Sequence, residues 1–351
     1  MPASADHEAL RFAPIAAPSL DSLPSFAREM GLAGMGGSLF PGSIKLKAAR
    51  NLHTLVINAV ECEPGIEIDE ALLHHETDAV RIGLVGLRKA LNVETTVLAT
   101  KKACAGRVRT LADALGASIL EMPDYYPGGA ERLIIARLDK RKLPASVLPM
   151  QRGYLVFSVA SLWAIGRRLR DGEPSIWRPL SLVVPGRPTR NLIAPIGCPI
   201  GTLLERASVT FNPATHLLIA GGRMMGSRVS EGTAITKGTN AVFVLPIERR
   251  FTKPEEPCIL CGSCFDACPL GLHPTAMADR IRERQPSRAL KAQLNECFLC
   301  GACSAVCPSE IHCGLYRQRP AQHAGIEIGE ARRRSPGRDS ERLYPLAWLS
   351  A

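Results

Sequence analysis

Apolar runs and helical patterns alternate along the first half of the chain. The continuous apolar run Thr54–Asn58, rich in β-branched residues, is typical of a strand that is buried on both faces of a sheet. Similar strand patterns recur at Val93–Ala99 and Ala117–Glu121, and a helical pattern lies between them at Val108–Leu115. Strands and helices that alternate at these lengths predict an α/β domain with a parallel, doubly wound, Rossmann-like sheet.

The pattern changes in the second half of the chain. Residues 176–247 contain short strand patterns around one short helical pattern, which predicts a small β-grasp module. Beyond it, a helical pattern around Ala276–Arg284 lies between two cysteine-rich segments, and this arrangement predicts a small α-helical domain. The length of 351 residues fits two or three domains.

Composition excludes several classes of protein. Apolar residues make up 46% and charged residues 22% of the chain, as in ordinary globular proteins, so a mainly disordered or fibrous chain is excluded. The net charge of +10 is compatible with an acidic protein partner, an anionic membrane surface or nucleic acid. Aromatic residues make up only 5%, which leaves few platforms for base stacking, and we expect no nucleic-acid binding.

Eight of the twelve cysteines fall in two runs, and both runs follow the pattern C-x2-C-x2-C-x3-C-P. This is the pattern of bacterial two-cluster ferredoxins, in which the fourth cysteine of each run ligates the cluster of the other run. A single C-x2-C pair is often a zinc site, but paired four-cysteine runs that each end in Cys-Pro favour iron–sulfur clusters. We assign one [4Fe–4S] cluster to Cys258, Cys261, Cys264 and Cys307. We assign the other to Cys268, Cys297, Cys300 and Cys303.

A glycine-rich loop precedes the first predicted strand. Five glycines fall between Gly31 and Gly42, too many for a stable helix interior. Such a loop allows backbone N–H groups to approach a phosphate or a flat ring closely. The loop lacks both the Walker sequence and a G-x-G-x-x-G pattern that opens a helix after a strand, so a flexible connector is an alternative at this point.

Acidic residues follow the first predicted strand directly. Glu61 and Glu63 lie just beyond its carboxyl end, and this is the edge of an open α/β sheet where ligands bind. Together with Asn58 they suit the hydroxyl groups of a ribityl chain or a ribose. The alternative is a solvated acidic turn in which Asp69 caps the following helix.

Four motifs, in this order along the chain, resemble those of the RnfC (RsxC) family. They are the glycine loop, the Asn-x-x-Glu-Cys-Glu-Pro segment from Asn58, the Tyr-Pro-x-Gly-x-Glu turn from Tyr126, and the two cysteine runs. Members of this family are the peripheral, NADH-facing subunits of the Rnf ion-translocating electron-transport complex. The loop and the acidic turn are also similar to the FMN- and NADH-binding subunit of respiratory complex I. Family members usually begin with a lipoyl-like barrel domain, and we expect a short form here because only residues 1–22 precede the flavin domain.

The resemblance implies a noncovalent FMN, NADH as electron donor, and electron transfer through the two clusters to a partner. It places the FMN phosphate and ring against Gly34, Gly36, Gly37 and Lys45. It places the ribityl chain and nicotinamide against Asn58, Glu61 and Glu63, and the dinucleotide against Glu131. The Ser161 hydroxyl would replace that of a family threonine. The sequence also departs from the family: Glu70 stands for an arginine, Ser158 for an asparagine and Arg132 for a lysine, and Ser38-Leu39 replaces an alanine and a small or β-branched residue in the loop.

These patterns divide the chain into five predicted segments. The first two are an N-terminal extension (1–22) and an FMN/NADH-binding domain (23–175). A β-grasp module of the soluble-ligand-binding type (176–248) and a ferredoxin-like α-helical domain with two [4Fe–4S] clusters (249–320) follow. The last is a basic tail (321–351), which we expect to be disordered.

The sequence thus predicts an NADH-dependent oxidoreductase subunit that delivers electrons to other subunits of a membrane complex or to an acidic redox protein. The cofactors carry the chemistry, so no side chain is assigned a catalytic role. No apolar stretch reaches the ~20 residues of a membrane helix, and we expect a cytoplasmic protein that is peripheral to the inner membrane. Two alternatives are a soluble flavin-dependent reductase, similar to the RnfC-like cobalamin reductase, and a cluster-only electron carrier without a working nucleotide site.

Overall fold

A computed structural model describes residues 13–247, 255–282 and 293–311 of the chain. The predicted basic tail lies outside the described residues. The first part of the structure is built on a four-stranded sheet, with strands β1 (Thr54–Ala59), β2 (Thr95–Lys101), β3 (Ser118–Met122) and β4 (Tyr154–Ser158). Its helices are α1 (Leu23–Glu29), α2 (Gly42–Lys47), α3 (Ile68–His75), α4 (Thr77–Leu91), α5 (Arg109–Ala114), α6 (Glu131–Asp139) and α7 (Val159–Asp171).

All four strands of this sheet are parallel, in the order β3-β2-β1-β4. The chain proceeds outward from β1 to β2 and β3, and then returns to the other side of β1 to form β4. The strand order therefore reverses between β1 and β4, and ligands of open α/β sheets bind in the crevice at such a reversal. At this point Asn58 of β1 lies opposite Ser158 of β4. The predicted Rossmann-like sheet is confirmed, and β4, which the sequence patterns did not single out, completes it.

Two glycines bring helices α4 and α7 into close contact. A β-carbon on Gly83 of α4 would collide with the backbone carbonyl of Leu162, and one on Gly166 of α7 would collide with that of Ala79. The backbones of the two helices therefore approach directly, which only glycine permits at these positions. This contact fixes α7, whose first turn follows β4 without a connecting loop and reaches the crevice.

The second sheet has five strands and one helix. Its strands are β5 (Trp177–Val183), β6 (Arg190–Pro195), β7 (His216–Ala220), β8 (Ser227–Val229) and β9 (Ala241–Pro246), and its helix is α8 (Ile200–Arg206). The strand order is β6-β5-β9-β7-β8. Strand β5 pairs with β9 in parallel, and the other neighbours pair antiparallel. This is the predicted β-grasp arrangement.

Strand β9 is buried on both faces because the two faces pack against different partners. Phe243 and Leu245 belong to the large core shared with the parallel-sheet domain. Val242 and Val244 belong to the separate core beneath α8. The alternation along one strand follows from the period of two in side-chain direction. The second sheet therefore contributes to two separate hydrophobic cores, one on each of its faces.

The cysteine-rich part contains short helices only. They are α9 (Ser263–Asp266), α10 (Pro274–Arg282) and α11 (Ala302–Ala305). Gly262 and Gly301 precede α9 and α11 with φ values of +81° and +80°, in the left-handed region that glycine adopts without strain. Over the described ranges, no helix is both long enough and apolar enough to cross a membrane.

Candidate functional site

The glycine loop connects α1 to α2 and lies against the crevice between β1 and β4. The Gly34 N–H donates to the Phe40 carbonyl at 2.8 Å, and this bond closes the loop. A β-carbon on Gly36 would lie 3.6 Å from the β-carbon of Ser158, at the carboxyl end of β4. The loop therefore lies at the carboxyl edge of the sheet, where Asn58 also lies.

Three successive N–H groups of the loop are free. Among the residues that the structure describes, the backbone N–H groups of Gly36, Gly37 and Ser38 donate to no protein acceptor. Gly37 has a φ of +94°, a conformation that allows consecutive N–H groups to converge. N–H groups without a protein acceptor at the carboxyl edge of a parallel sheet are suited to the oxygens of a phosphate or the edge of a flavin ring. The residues present therefore fit the FMN that the sequence predicts.

Ser161, in the first turn of α7, holds the glycine loop through a hydrogen bond. Its hydroxyl accepts a hydrogen bond from the Met35 N–H at 3.2 Å and lies 3.0 Å from the Ser158 hydroxyl. Ser158 in turn caps α7, because its Oγ accepts from the Ser161 N–H at 3.3 Å. Ser161 is predicted to contact the cofactor. In the structure its hydroxyl already holds the Met35 backbone and so fixes this part of the loop.

Lys45 and Glu131 form an ion pair beside the loop. The Lys45 ammonium lies 2.7 Å from Oε1 of Glu131 and 5.2 Å from the centre of the Phe157 ring. The sequence predicts separate roles for these residues, at the FMN phosphate and at the dinucleotide. The structure brings the two side chains together.

Asn58 connects β1 to the second predicted turn. Its side-chain amide donates to the Gly129 carbonyl at 2.9 Å, and its Oδ1 accepts from the Val60 N–H at 3.1 Å. A β-carbon on Gly129 would collide with the Val60 carbonyl, so the turn packs directly on the end of β1. The two motifs, about seventy residues apart, therefore meet at one edge.

Glu61 and Glu63 accept hydrogen bonds from the backbone. The Glu61 carboxylate accepts from the N–H groups of Asp69 and Glu70 at 2.7 and 3.1 Å, at the start of α3. The Glu63 carboxylate accepts from the Met224 N–H at 3.0 Å, in the β-grasp module. Burial raises the pKa of Glu63 to about 7, although this hydrogen bond opposes the shift. Burial and the nearby Asp69 carboxylate also raise the pKa of Glu61 well above its ordinary value.

Asp69 does not cap α3, the role considered in the alternative interpretation of the acidic turn. Its Oδ1 accepts from the Ala160 N–H at 3.1 Å, in the first turn of α7. Burial raises the pKa of this carboxyl above its ordinary value. The residue therefore joins α3 to α7, and it is Glu61 that occupies the start of α3.

Glu70, which stands where the family has arginine, pairs with Arg107. The guanidinium approaches both carboxylate oxygens, with distances of 2.6 and 3.0 Å, and holds the pKa of Glu70 below its ordinary value. The pair lies at a cavity of about 670 Å³ that Glu61, His74 and Lys101 also line. The sequence patterns did not indicate Arg107 or this cavity.

Four cysteines line one cavity in the cysteine-rich part. We call Cys258, Cys261, Cys264 and Cys307 the outer thiol set. The first three come from one run and the fourth from the other, which is the crossed grouping that the spacing predicts. Cys258 and Cys261 are exposed. Four soft thiol donors around one cavity fit an iron–sulfur cluster.

The remaining four cysteines of the two runs form the inner thiol set: Cys268, Cys297, Cys300 and Cys303. Burial raises the pKa of Cys300 to about 12, and the nearby charges of Cys303, Cys297 and Cys268 add to the shift. Such mutual influence requires the four sulfurs to lie close together. This grouping, too, crosses the two runs and fits a second cluster.

The inner thiol set lies against the parallel-sheet domain. The Tyr126 hydroxyl donates to the Cys300 carbonyl at 2.6 Å, and Arg132 donates to the Glu296 carbonyl at 2.6 Å and pairs with the Glu296 carboxylate. Tyr126 belongs to the turn that Asn58 holds at the end of β1, and Arg132 lies in the first turn of α6, which follows directly. The sequence motif included Tyr126, but nothing in it indicated a contact with the cysteine-rich part.

Comparison with known proteins supports both halves of this site. Residues 27–167 match the family model of the Nuo51 FMN-binding domain, and residues 257–311 match that of the 4Fe-4S dicluster domain. An NAD+-reducing [NiFe]-hydrogenase, in its H2-reduced crystal structure, shares the fold with a TM-score of 0.56 at 17% identity, over 87% of this chain and 61% of that one. The chain thus combines a domain of the Nuo51 FMN-binding family with a domain of the 4Fe-4S dicluster family.

Within that class, the chain is a relative of the RnfC proteins of ion-translocating oxidoreductase complexes, and the predicted resemblance is confirmed. It is 31% identical to the RnfC protein of Rhodobacter capsulatus over 273 residues, 75% of this chain and 52% of that protein. It is 35% identical to the RnfC protein of Serratia proteamaculans over 318 residues, 87% of this chain and 44% of that protein. The chain therefore spans about half the length of these relatives, or less.

Proposed function

We propose that this chain oxidises NADH at the crevice between β1 and β4 and passes the electrons through two [4Fe–4S] clusters to a partner subunit of an Rnf-type complex. A bound FMN would provide two-electron hydride chemistry toward NADH and one-electron chemistry toward the clusters. The chain's own residues hold the cofactors and set their spacing. No side chain has to act as a nucleophile or a general base.

One observation carries this proposal, namely that a single turn touches both redox sites. The turn Tyr125–Ala130 is held to the end of β1 by Asn58 and donates to the Cys300 carbonyl through Tyr126. The same turn therefore contacts both the end of β1, which borders the proposed flavin crevice, and the inner thiol set. Electron transfer requires two redox sites to lie close together. Two sites with unrelated functions would not need to share a turn.

The arrangement of the two thiol sets supports a direction for the electrons. The inner set contacts the flavin domain, whereas Cys258 and Cys261 of the outer set are exposed. We expect electrons to enter at the inner set and to leave at the outer set. The relatives are by name parts of ion-translocating oxidoreductase complexes, and we propose that this chain works beside such partners on the cytoplasmic face of the inner membrane.

The cluster assignment is tested by composition and by cysteine substitution. Anaerobically prepared protein is expected to contain about eight irons and eight acid-labile sulfides per chain. Cys268→Ala is expected to damage the cluster of the inner set and Cys307→Ala that of the outer set, each resolved by electron paramagnetic resonance. Cys198→Ala, outside both runs, is the matched control and keeps both signals. Zinc at one or two atoms per chain without sulfide would contradict the assignment.

The flavin assignment is tested by titration of the same protein with FMN and then with NADH. We expect FMN to bind with a dissociation constant of tens of micromolar or less, and NADH to bleach the flavin absorbance. Absence of FMN binding would leave the cluster-only electron carrier. FMN binding without bleaching would point to a different donor. Purification with integral membrane subunits separates the proposed complex from a soluble reductase.

A further inference from the structure

A fully buried arginine lies between the β-grasp module and the glycine loop. Arg178, on β5, has no exposed surface. Its Nε donates to the Thr239 carbonyl at 2.8 Å, and its Nη2 donates to the Met35 carbonyl at 2.6 Å. In the part of the chain that the structure describes, Nη1 is buried without a hydrogen-bond partner. Burial of a cation is costly. The nearby Asp69 carboxylate compensates the charge of Arg178 in part, but it leaves Nη1 without a hydrogen bond.

Both backbone polar groups of Met35, the N–H and the carbonyl, form hydrogen bonds with side chains. Its N–H donates to the Ser161 hydroxyl at 3.2 Å, and its carbonyl accepts from Arg178. The residue is only 2% exposed. Ser161 belongs to α7 and Arg178 to β5, so two different domains fix the two ends of one residue in the loop.

The contact of Arg178 with Met35 sets the direction of the next N–H group. The Met35–Gly36 peptide bond is trans and planar, so its carbonyl and its N–H point in opposite directions. Arg178 holds the carbonyl toward the β-grasp module. The Gly36 N–H therefore points away from that module, and in the described part of the chain it is one of the three loop N–H groups without a protein acceptor.

The neighbouring turn of the β-grasp module supports the same loop. The Lys237 ammonium donates to the Gly31 carbonyl, and a β-carbon on Gly238 would lie 2.9 Å from the Leu39 side chain. Asn240 lies 3.7 Å from the position of a β-carbon on Gly37. The module thus contacts the loop at its beginning, its middle and its end.

We propose that Arg178 is a positioning residue for the flavin site, which aims the Gly36 N–H into the crevice and makes flavin affinity depend on the β-grasp module. This inference rests on the proposed flavin function. It assigns to the module a role in cofactor binding that its own strands, far from the β1–β4 crevice along the chain, do not suggest.

The test compares Arg178→Met with Leu180→Ala in the full, cluster-loaded chain. Leu180 lies on the same strand and is fully buried, and it packs into the core beneath α8. FMN titration is expected to give a dissociation constant at least about tenfold higher for Arg178→Met, a loss of ~1.4 kcal/mol. Leu180→Ala is expected to lower the unfolding temperature yet to keep the FMN affinity within about twofold of wild type.

Hydrogen–deuterium exchange of the flavin-free proteins gives a second readout. The Met35–Ser38 amides are expected to exchange faster in Arg178→Met and at the wild-type rate in Leu180→Ala. If Arg178→Met does not fold, Arg178→Lys replaces it, since lysine keeps the charge but cannot reach both carbonyls. Wild-type affinity in both arginine variants would overturn the inference, as would equal losses of affinity in Arg178→Met and Leu180→Ala. Failure of the wild type to bind FMN would instead overturn the proposed function.

Discussion

The glycine loop and the acidic turn lie at the same edge of the parallel sheet, but their hydrogen-bonding states are opposite. Across the described residues, the N–H groups of Gly36 and Gly37 in the loop have no acceptor. The carboxylates of Glu61 and Glu63 in the turn already accept N–H groups from α3 and from the β-grasp module. We propose that the unused donors face the ligand. Used acceptors mark the side that holds the domains together.

The difference implies that substitutions on the two sides have different consequences. Changes in the loop are expected to alter flavin affinity with little effect on stability. Changes in the acidic turn are expected to alter stability first. The prediction that Glu61 and Glu63 contact the ribityl chain or nicotinamide stays a prediction, and any such contact competes with the hydrogen bonds that these carboxylates already make.

Gly36→Val is expected to have the largest effect. Its γ-methyl groups would enter the crevice beside Ser158, where the flavin has to lie. We expect FMN affinity to fall by about a hundredfold or more, ~2.7 kcal/mol, with both clusters intact by absorbance and iron content. Gly106→Val is the matched control, because a β-carbon there meets nothing within 4 Å, and it should bind FMN normally. Unchanged affinity in Gly36→Val would remove the loop from the flavin site.

Glu63→Gln is expected to change how stability depends on pH. The pKa of Glu63 is raised to about 7 in the folded protein from an ordinary value of 4.5. Between these values the folded protein holds a proton that the unfolded chain has released, so stability falls as pH rises toward 7. Glutamine removes the share of this slope that comes from Glu63, on the order of 3 kcal/mol between pH 4.5 and 8. The raised pKa values of Glu61 and Asp69 leave a smaller slope in the variant.

The measurement is the unfolding temperature of the flavin-free protein at several pH values. Glu67→Gln, at an exposed neighbouring position, serves as the control and should follow the wild-type profile. Parallel profiles for wild type and Glu63→Gln would mean that the Glu63 carboxylate is not constrained as the structure shows.

Lys45→Met is expected to have a smaller effect, on binding alone. The Glu131 side chain is 41% exposed, so the ion pair contributes at most about 1 kcal/mol to stability. Loss of the charge beside the loop should raise the dissociation constant of FMN by a few-fold, about 1 kcal/mol or less. Lys47→Met, two residues further on the same helix and exposed, is expected to bind FMN like wild type. Identical affinities in the two variants would show that Lys45 serves Glu131 alone.

Glu70→Gln is expected to have the smallest effect. The Glu61 carboxylate contacts the backbone N–H of Glu70, which the substitution keeps, and only the exposed pair with Arg107 is lost. FMN affinity and unfolding temperature should stay at their wild-type values in the titrations described above. A tenfold loss of FMN affinity would extend the flavin site to the cavity on the α3 side. It would contradict the division into a loop that binds the ligand and an acidic turn that holds the domains together.

Most of the fold was predictable from the sequence, but few of the side-chain contacts in the candidate site were. Thr54–Asn58 was predictable as a buried strand because its apolar run is continuous, and the two cysteine runs were predictable because their spacing is specific. Local pattern also predicted the loop and the turn. It did not predict that the Glu63 carboxylate meets Met224, because a partner 161 residues away leaves no local signal.

The burial of Arg178 could not be predicted from its sequence neighbours either. A lone arginine in a strand pattern is ordinarily a solvated residue, and its sequence neighbours Trp177 and Pro179 indicate nothing about a loop near residue 35. Its burial follows only from the packing of two sheets, which brings β5 beneath the glycine loop. Long-range placement of this kind depends on the complete fold.

The two-faced strand β9 has a consequence for how the protein melts. Phe243 and Leu245 complete the core of the parallel-sheet domain, while Val242 and Val244 complete the core of the β-grasp module. Removal of this one strand would open both cores, so neither sheet is a self-sufficient folding unit. Heating should therefore unfold the two sheets in a single cooperative transition, and limited proteolysis between α7 and β5 should leave the two fragments bound to each other.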